Sequence, residues 1–150
     1  MVNLSVAQVG FIDDWSYAKT AQVFVQTGHF VYNGWATAML GWQIVLGALF
    51  IRLFGFSFTV VRLSILLIAM AAVFLFHSIL VRFGVNARNA VFGSLALGLS
   101  PIFVPLADSY MTDVPGLFAV LLCLYLCQRA VAVPSVKRTI AWLCPPQHRM

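Results

Sequence analysis

Four aspartates, Asp13, Asp14, Asp108 and Asp113, are the only carboxylate side chains in this 150-residue sequence, which contains no glutamate. Two are adjacent, directly before Trp15, and the other two bracket S-Y-M-T ahead of V-P-G. An aspartate pair beside an aromatic suits chemistry on a saccharide: one carboxylate can accept a proton from an acceptor hydroxyl or coordinate a cation while the other orients it. The structural alternative for Asp14 is a helix cap, bonding the free N–H groups at the positive end of a helix that runs through W-S-Y-A-K-T-A and ends at Gly28. Asp113 stands directly before a long apolar run, where a carboxylate is expensive unless it is solvated, paired or functional. Capping of the following helix is the alternative there as well.

The elements that must position these acids are membrane helices. Hydrophobic residues make up 62% of the chain and charged ones 9%, against roughly 25% charged in soluble domains, which excludes a water-soluble globule. The nine cations give a net charge of +5, but they are scattered singly, so the excess reads as a topology signal and not as a nucleic-acid surface. Charge-free runs over 63–81, 89–107 and from 114 to 128 and beyond approach the roughly 20 apolar residues needed to cross a bilayer. Pro101 and Pro105 should bend or end the second of them. The linker 82–88 carries two arginines and the segment after Arg129 only cations, so both are expected on the cytoplasmic side. That puts Asp108, Asp113 and Arg62 outside. Trp35–Ile51, apolar but rich in Trp and Gly, is expected to lie along the outer interface, which places all four aspartates on the external face. The fold class expected is all-α, a polytopic membrane protein with about three transmembrane helices plus external interfacial helices. Ala90, Ser94 and Gly98 would let a neighbouring helix approach closely. His77, in mid-span, should be satisfied by such a neighbour. Cys123, Cys127 and Cys144 are too few for a disulfide scaffold and read as small apolar residues. The N-terminus lacks the charged and continuous apolar regions of a signal peptide.

The order of these features resembles a family. The aspartate pair followed by W-S-Y-A-K-T-A, then Y-N-G-W, then L-F-G-F-S-F-T-V-V-R-L-S opening a span, then L-S-P, then Y-M-T-D-V-P-G opening the next, is similar to the N-terminal third of the GT-C glycosyltransferases. Within these it most resembles the dolichyl-phosphate-mannose-protein mannosyltransferase-like group, over residues 11 to about 131. The resemblance implies a polyprenyl-phosphate sugar donor, an acceptor on the external face of the plasma membrane, and catalytic roles for Asp13, Asp14 and Asp113. Arg62 matches the arginine after the F-G-x-S element. With Tyr17 it is a candidate for substrate binding, and Arg62 or Arg52 could offer a guanidinium to the lipid phosphate. No metal ligands are assigned, although a divalent cation could assist the leaving phosphate.

Family members carry a helix before the acidic loop and several after it, so 1–131 reads as a partial GT-C domain that relies on other helices of a complete enzyme and lacks transferase activity alone. Residues 132–150 read as a cytoplasmic tail, disordered or aberrant. The partners implied are the lipid-linked donor and membrane lipid, and not nucleic acid. The competing function is a small non-catalytic membrane protein, a subunit or transporter piece, whose aspartates only cap helices.

Overall fold

The computed structural model describes residues 10, 13–31, 34–35 and 40–132. Every regular element among them is helical: α1 (Asp14–Thr27), α2 (Gly41–Phe54), α3 (Phe58–Arg82), α4 (Ala87–Gly98), α5 (Phe103–Ala107) and α6 (Asp113–Ala132). At about 1.5 Å per residue, α3 and α6 are long enough to cross about 30 Å of hydrocarbon, and both are apolar enough to do so. Only 33% of the most apolar window of α3 and 17% of that of α6 is buried by protein. Leu66, Leu67, Met70 and Phe74 on α3 and Leu122, Leu124 and Leu126 on α6 face outward. A water-soluble domain would not leave such surface uncovered, whereas lipid covers it without cost.

Helix α3 begins five residues before the expected span. Ser57 is extended and its hydroxyl accepts from the Thr59 N–H at 3.2 Å, a cap that starts the helix early. Arg62 therefore lies inside the helix, one turn from its start, and does not flank it. The expected span 89–107 is divided into α4 and α5. Pro101 disfavours the helical region for Ser100, and the helix stops at Gly98. Pro105 is tolerated as the third residue of α5, where its missing N–H has no helical partner to lose. The expected helix at Trp35–Ile51 is displaced to Gly41–Phe54, with Trp35 outside it and 36–39 outside the described residues. The expected helix after the aspartate pair is found, closed by Gly28 at φ 72°.

Helices α3 and α4 form an antiparallel hairpin whose turn uses Gly84 at φ 84°, and Asn86 Oδ1 caps α4 by accepting from Asn89 N–H at 2.8 Å. The small-residue stripe faces inward as expected: Ala90 and Ser94 are buried, and Gly98 looks onto the Val73 methyls. His77 is half-buried and makes no hydrogen bond among the described residues, so the expected helix-to-helix bond is not formed there. Helices α3 and α6 run in the same direction. Val61 and Ile65 of α3 share a core cluster with Val114 at the start of α6, while farther along the Arg82 guanidinium sits 5.1 Å from the Tyr125 ring. Arg82, Arg88 and Arg129 thus lie at one end of the bundle, and Arg62, α5 and the 108–112 loop at the other.

Helix α2 belongs wholly to that second end. Trp42 at its start lies 6.2 Å from Phe118 near the start of α6, and its last residue is three positions from α3. Gln43 Nε2 donates to the carbonyls of Tyr110 and Met111 at 3.4 and 3.3 Å, and the Tyr110 hydroxyl donates back to the Gln43 carbonyl at 2.9 Å. Burial pushes the Tyr110 phenol pKa up and keeps it a neutral donor. One turn on, Gly47 leaves just enough room for that hydroxyl, because a Cβ there would collide with it. Gly47→Ala should cost about 1–3 kcal/mol by overpacking, read as a lowered Tm in detergent micelles. An unchanged Tm would show that α2 is free to shift.

Candidate functional site

The site grows from the start of α1, where it meets α3. Asp14 is the first residue of α1 and fully buried, and Arg62 on α3 is 1% exposed. Two guanidinium nitrogens converge on one carboxylate oxygen: Nη2 donates to Asp14 Oδ2 at 2.6 Å and Nε at 3.0 Å. The Phe58 ring, 5.4 Å from Arg62 Cζ, covers the cation from its own helix. A buried charge of either sign is tolerated only with such a partner, so the pair locks α1 onto α3 and fixes the rotation of α1.

That rotation turns Asp13 the other way. Asp13 takes the N-cap position of α1, but its side chain makes no capping bond; Oδ1 accepts instead from the Trp35 indole N–H at 2.8 Å. Its second oxygen, Oδ2, makes no hydrogen bond among the described residues, and the residue is half-buried. Adjacent carboxylates therefore have different partners: Asp14 is buried and charge-paired with Arg62, and Asp13 is half-buried with Oδ1 on the Trp35 indole. The Trp35 ring also meets Trp15, with centroids 5.8 Å apart and planes tilted by 49°.

Of the other expected residues, Asp113 opens α6 and is exposed. It joins the same end of the bundle, because Val114 beside it packs in the core cluster that contains Tyr17 and Tyr110. Tyr17 is 5% exposed within that core, so it and Arg62, both expected to contact substrate, are buried. Arg52, the alternative guanidinium, is exposed near the end of α2 and makes no ion pair among the described residues. Asp108 lines the rim of an apolar groove of about 530 Å³ between α3 and α4–α5, with Met70, Val73, Phe74, Phe103 and Val104. Among the described residues no three His, Cys, Asp or Glu side chains converge on one point. The role of Trp35 was not foreseen. A tryptophan in Y-N-G-W, 22 residues from Asp13, carries no local signal of its partner.

Uncovered apolar helices with a polar cluster at one end define a helical integral-membrane protein. The chain belongs to the dolichyl-phosphate-mannose-protein mannosyltransferase family, whose profile matches residues 36–144. It is thus a mannosyltransferase-like membrane glycosyltransferase by family. The matched stretch includes Arg62 and Asp113 but begins after Trp35, so the aspartate pair and α1 lie ahead of it. No curated protein and no solved structure matches the chain.

Proposed function

We propose that this chain forms the acceptor side of a glycosyltransferase that moves a sugar from a polyprenyl-phosphate donor to a hydroxyl on the external face of the plasma membrane. The observation that carries this reading is the division of labour between Asp13 and Asp14. Asp13 Oδ2 takes the proton of the acceptor hydroxyl as its oxygen attacks the anomeric carbon; the bond from that carbon to the phosphate oxygen breaks, and polyprenyl phosphate leaves. Asp14, charge-paired with Arg62, positions Asp13 from beneath and does not touch substrate. The leaving phosphate needs a cation, and Arg52 is the exposed guanidinium at this end that can reach a lipid headgroup. Asp113, at the start of α6, adds a second exposed carboxylate at the same end of the bundle. The rival reading of a non-catalytic subunit leaves unexplained why a carboxylate at a helix start bonds an indole instead of capping its helix.

This reading requires the Arg82, Arg88 and Arg129 end to face the cytoplasm, as the positive-inside rule favours. A cysteine at Asn86 should then be labelled only after membranes are opened, and a reporter fused after Gly55 should read external. Labelling of Asn86 in intact cells, or a cytoplasmic reporter at Gly55, would put the aspartates on the wrong face for this chemistry.

A further inference from the structure

Gln43 carries the only amide side chain in α2, and it is fully buried. Its Nε2 serves two carbonyls, those of Tyr110 and Met111, at 3.4 and 3.3 Å, while its Oε1 is buried and makes no hydrogen bond among the described residues. The carbonyls fix the amide in that orientation, because turning it over would set oxygen against oxygen. Two long bonds set against one stranded acceptor add little net stability. What they add is direction: both N–H bonds of the amide aim at the loop that leads into α6.

Direction is what the rest of the α2 interface lacks. Ile44 and Ile51 hold the helix by apolar packing, which is non-directional and lets a helix slide or roll. Its outer face, with Val45, Leu49 and Leu53, is exposed and apolar, and lipid sets no register there either. Helix α1 in turn packs far more extensively on α2 than on α3, and its ion pair to α3 is made by its first residue alone. A shift of α2 would therefore swing α1 about that pivot. Asp13 is carried at the start of α1, and Asp113 opens α6, two and three residues beyond the carbonyls that Gln43 holds.

We infer that Gln43 is a positioning residue: by clasping the loop ahead of Asp113 to α2, which carries α1, its amide sets the spacing between Asp13 and Asp113. This rests on the transfer reaction proposed above, in which both carboxylates act. Gln43 touches no substrate. Misplacing a reacting group by about 1 Å can cost about 10²-fold, so a joint worth little to stability can matter greatly to turnover.

Gln43→Met tests this, since it fills a similar volume, removes the stranded acceptor and lacks the two donors. In a complete enzyme carrying this segment, transfer from a polyprenyl-phosphate mannose donor should fall at least about tenfold, with a Tm shift of no more than about 4 °C. On top of Asp113→Asn the same change should cost less than about twofold further, because a residue that acts through Asp113 has nothing left to position. In the full chain in micelles, with its three cysteines replaced by alanine, the distance between spin labels at Lys19 and Leu122 should shift or broaden in Gln43→Met and stay unchanged in Leu49→Met. Tyr110→Phe, which breaks only the return bond to the Gln43 carbonyl, should give the same signature at smaller amplitude and serves if Gln43→Met does not fold. Wild-type turnover in Gln43→Met, a loss that simply adds to that of Asp113→Asn, or an unchanged label distance would each overturn the assignment. If Asp113→Asn alone keeps wild-type turnover while the label distance still depends on Gln43, the role given to Asp113 in transfer is wrong and the clasp stands; an unchanged distance with Asp113 essential removes the clasp alone.

Discussion

Asp13→Asn, introduced into a complete enzyme carrying this segment, is expected to lower the rate of sugar transfer by about 10²- to 10⁴-fold, the usual loss when a general base is removed. Its effect on stability should be small. The Asp13 side chain makes no capping bond to α1, so the roughly 0.5–2 kcal/mol that loss of a helix cap costs does not apply. The amide oxygen of an asparagine can still accept from the Trp35 indole, which leaves the geometry of the rim in place. Transfer from a polyprenyl-phosphate mannose donor, measured beside expression level and Tm, separates chemistry from folding. Asp113→Asn in the same assay should also lower turnover without unfolding, because that carboxylate is exposed. Turnover near wild type for Asp13→Asn would reduce Asp13 to a hydrogen-bond partner of Trp35.

Arg62→Met carries the opposite signature, a large loss of stability. It takes the Arg62 guanidinium away from the buried Asp14 carboxylate, and breaking a buried pair by removing one partner typically costs about 3–5 kcal/mol. Asp14→Leu should cost a comparable amount by stranding the guanidinium. The double replacement Asp14→Leu with Arg62→Met should recover most of the loss, since an apolar pair of similar volume is often neutral or stabilising. Thermal unfolding of the four proteins in micelles gives the coupling energy directly. If the single changes are additive and mild, the pair does not hold α1 to α3, and Asp14 would be available for a catalytic role of its own.

The sequence patterns that foretold the fold were those set by composition and local chemistry. Uninterrupted apolar runs located α3 and α6, Gly28 marked the end of α1, and Pro101 marked the break between α4 and α5. A charge in an apolar run reads as the edge of a span, but Arg62 sits inside α3 because a partner 48 residues away makes that charge acceptable there. The same difficulty hid most of the site. That Asp13 and Asp14 are candidates could be read from their types and adjacency, but which of them is charge-paired depends on where Arg62 and Trp35 arrive in space. Nothing local distinguishes one aspartate from its neighbour. Tyr17 shows the limit from the other side: it is a candidate for substrate binding by resemblance, and the rotation of α1 sends it into the core while Trp15 turns outward.

The reciprocal bonds between Gln43 and Tyr110 join residues 67 positions apart, whereas Asp14 and Arg62 are separated by 48. During synthesis the ion pair can close once the first turn of α3 has emerged, and the α3–α4 hairpin can form from neighbouring sequence. Helix α2 packs on α1 and α3 through Ile44 and Ile51, but its Gln43 amide finds the carbonyls of Tyr110 and Met111 only after the 108–112 loop has been made. Until then Gln43 carries an amide with neither of its carbonyl partners, and the Gly47 notch lies empty. Closure over such a span is slow compared with hairpin formation, so these bonds form after the α3–α4 hairpin and are the last contacts to fix α2 in place. A chain in which that loop is displaced keeps the apolar packing of α2 but leaves the Gln43 amide without its two carbonyl partners and the Gly47 notch unfilled.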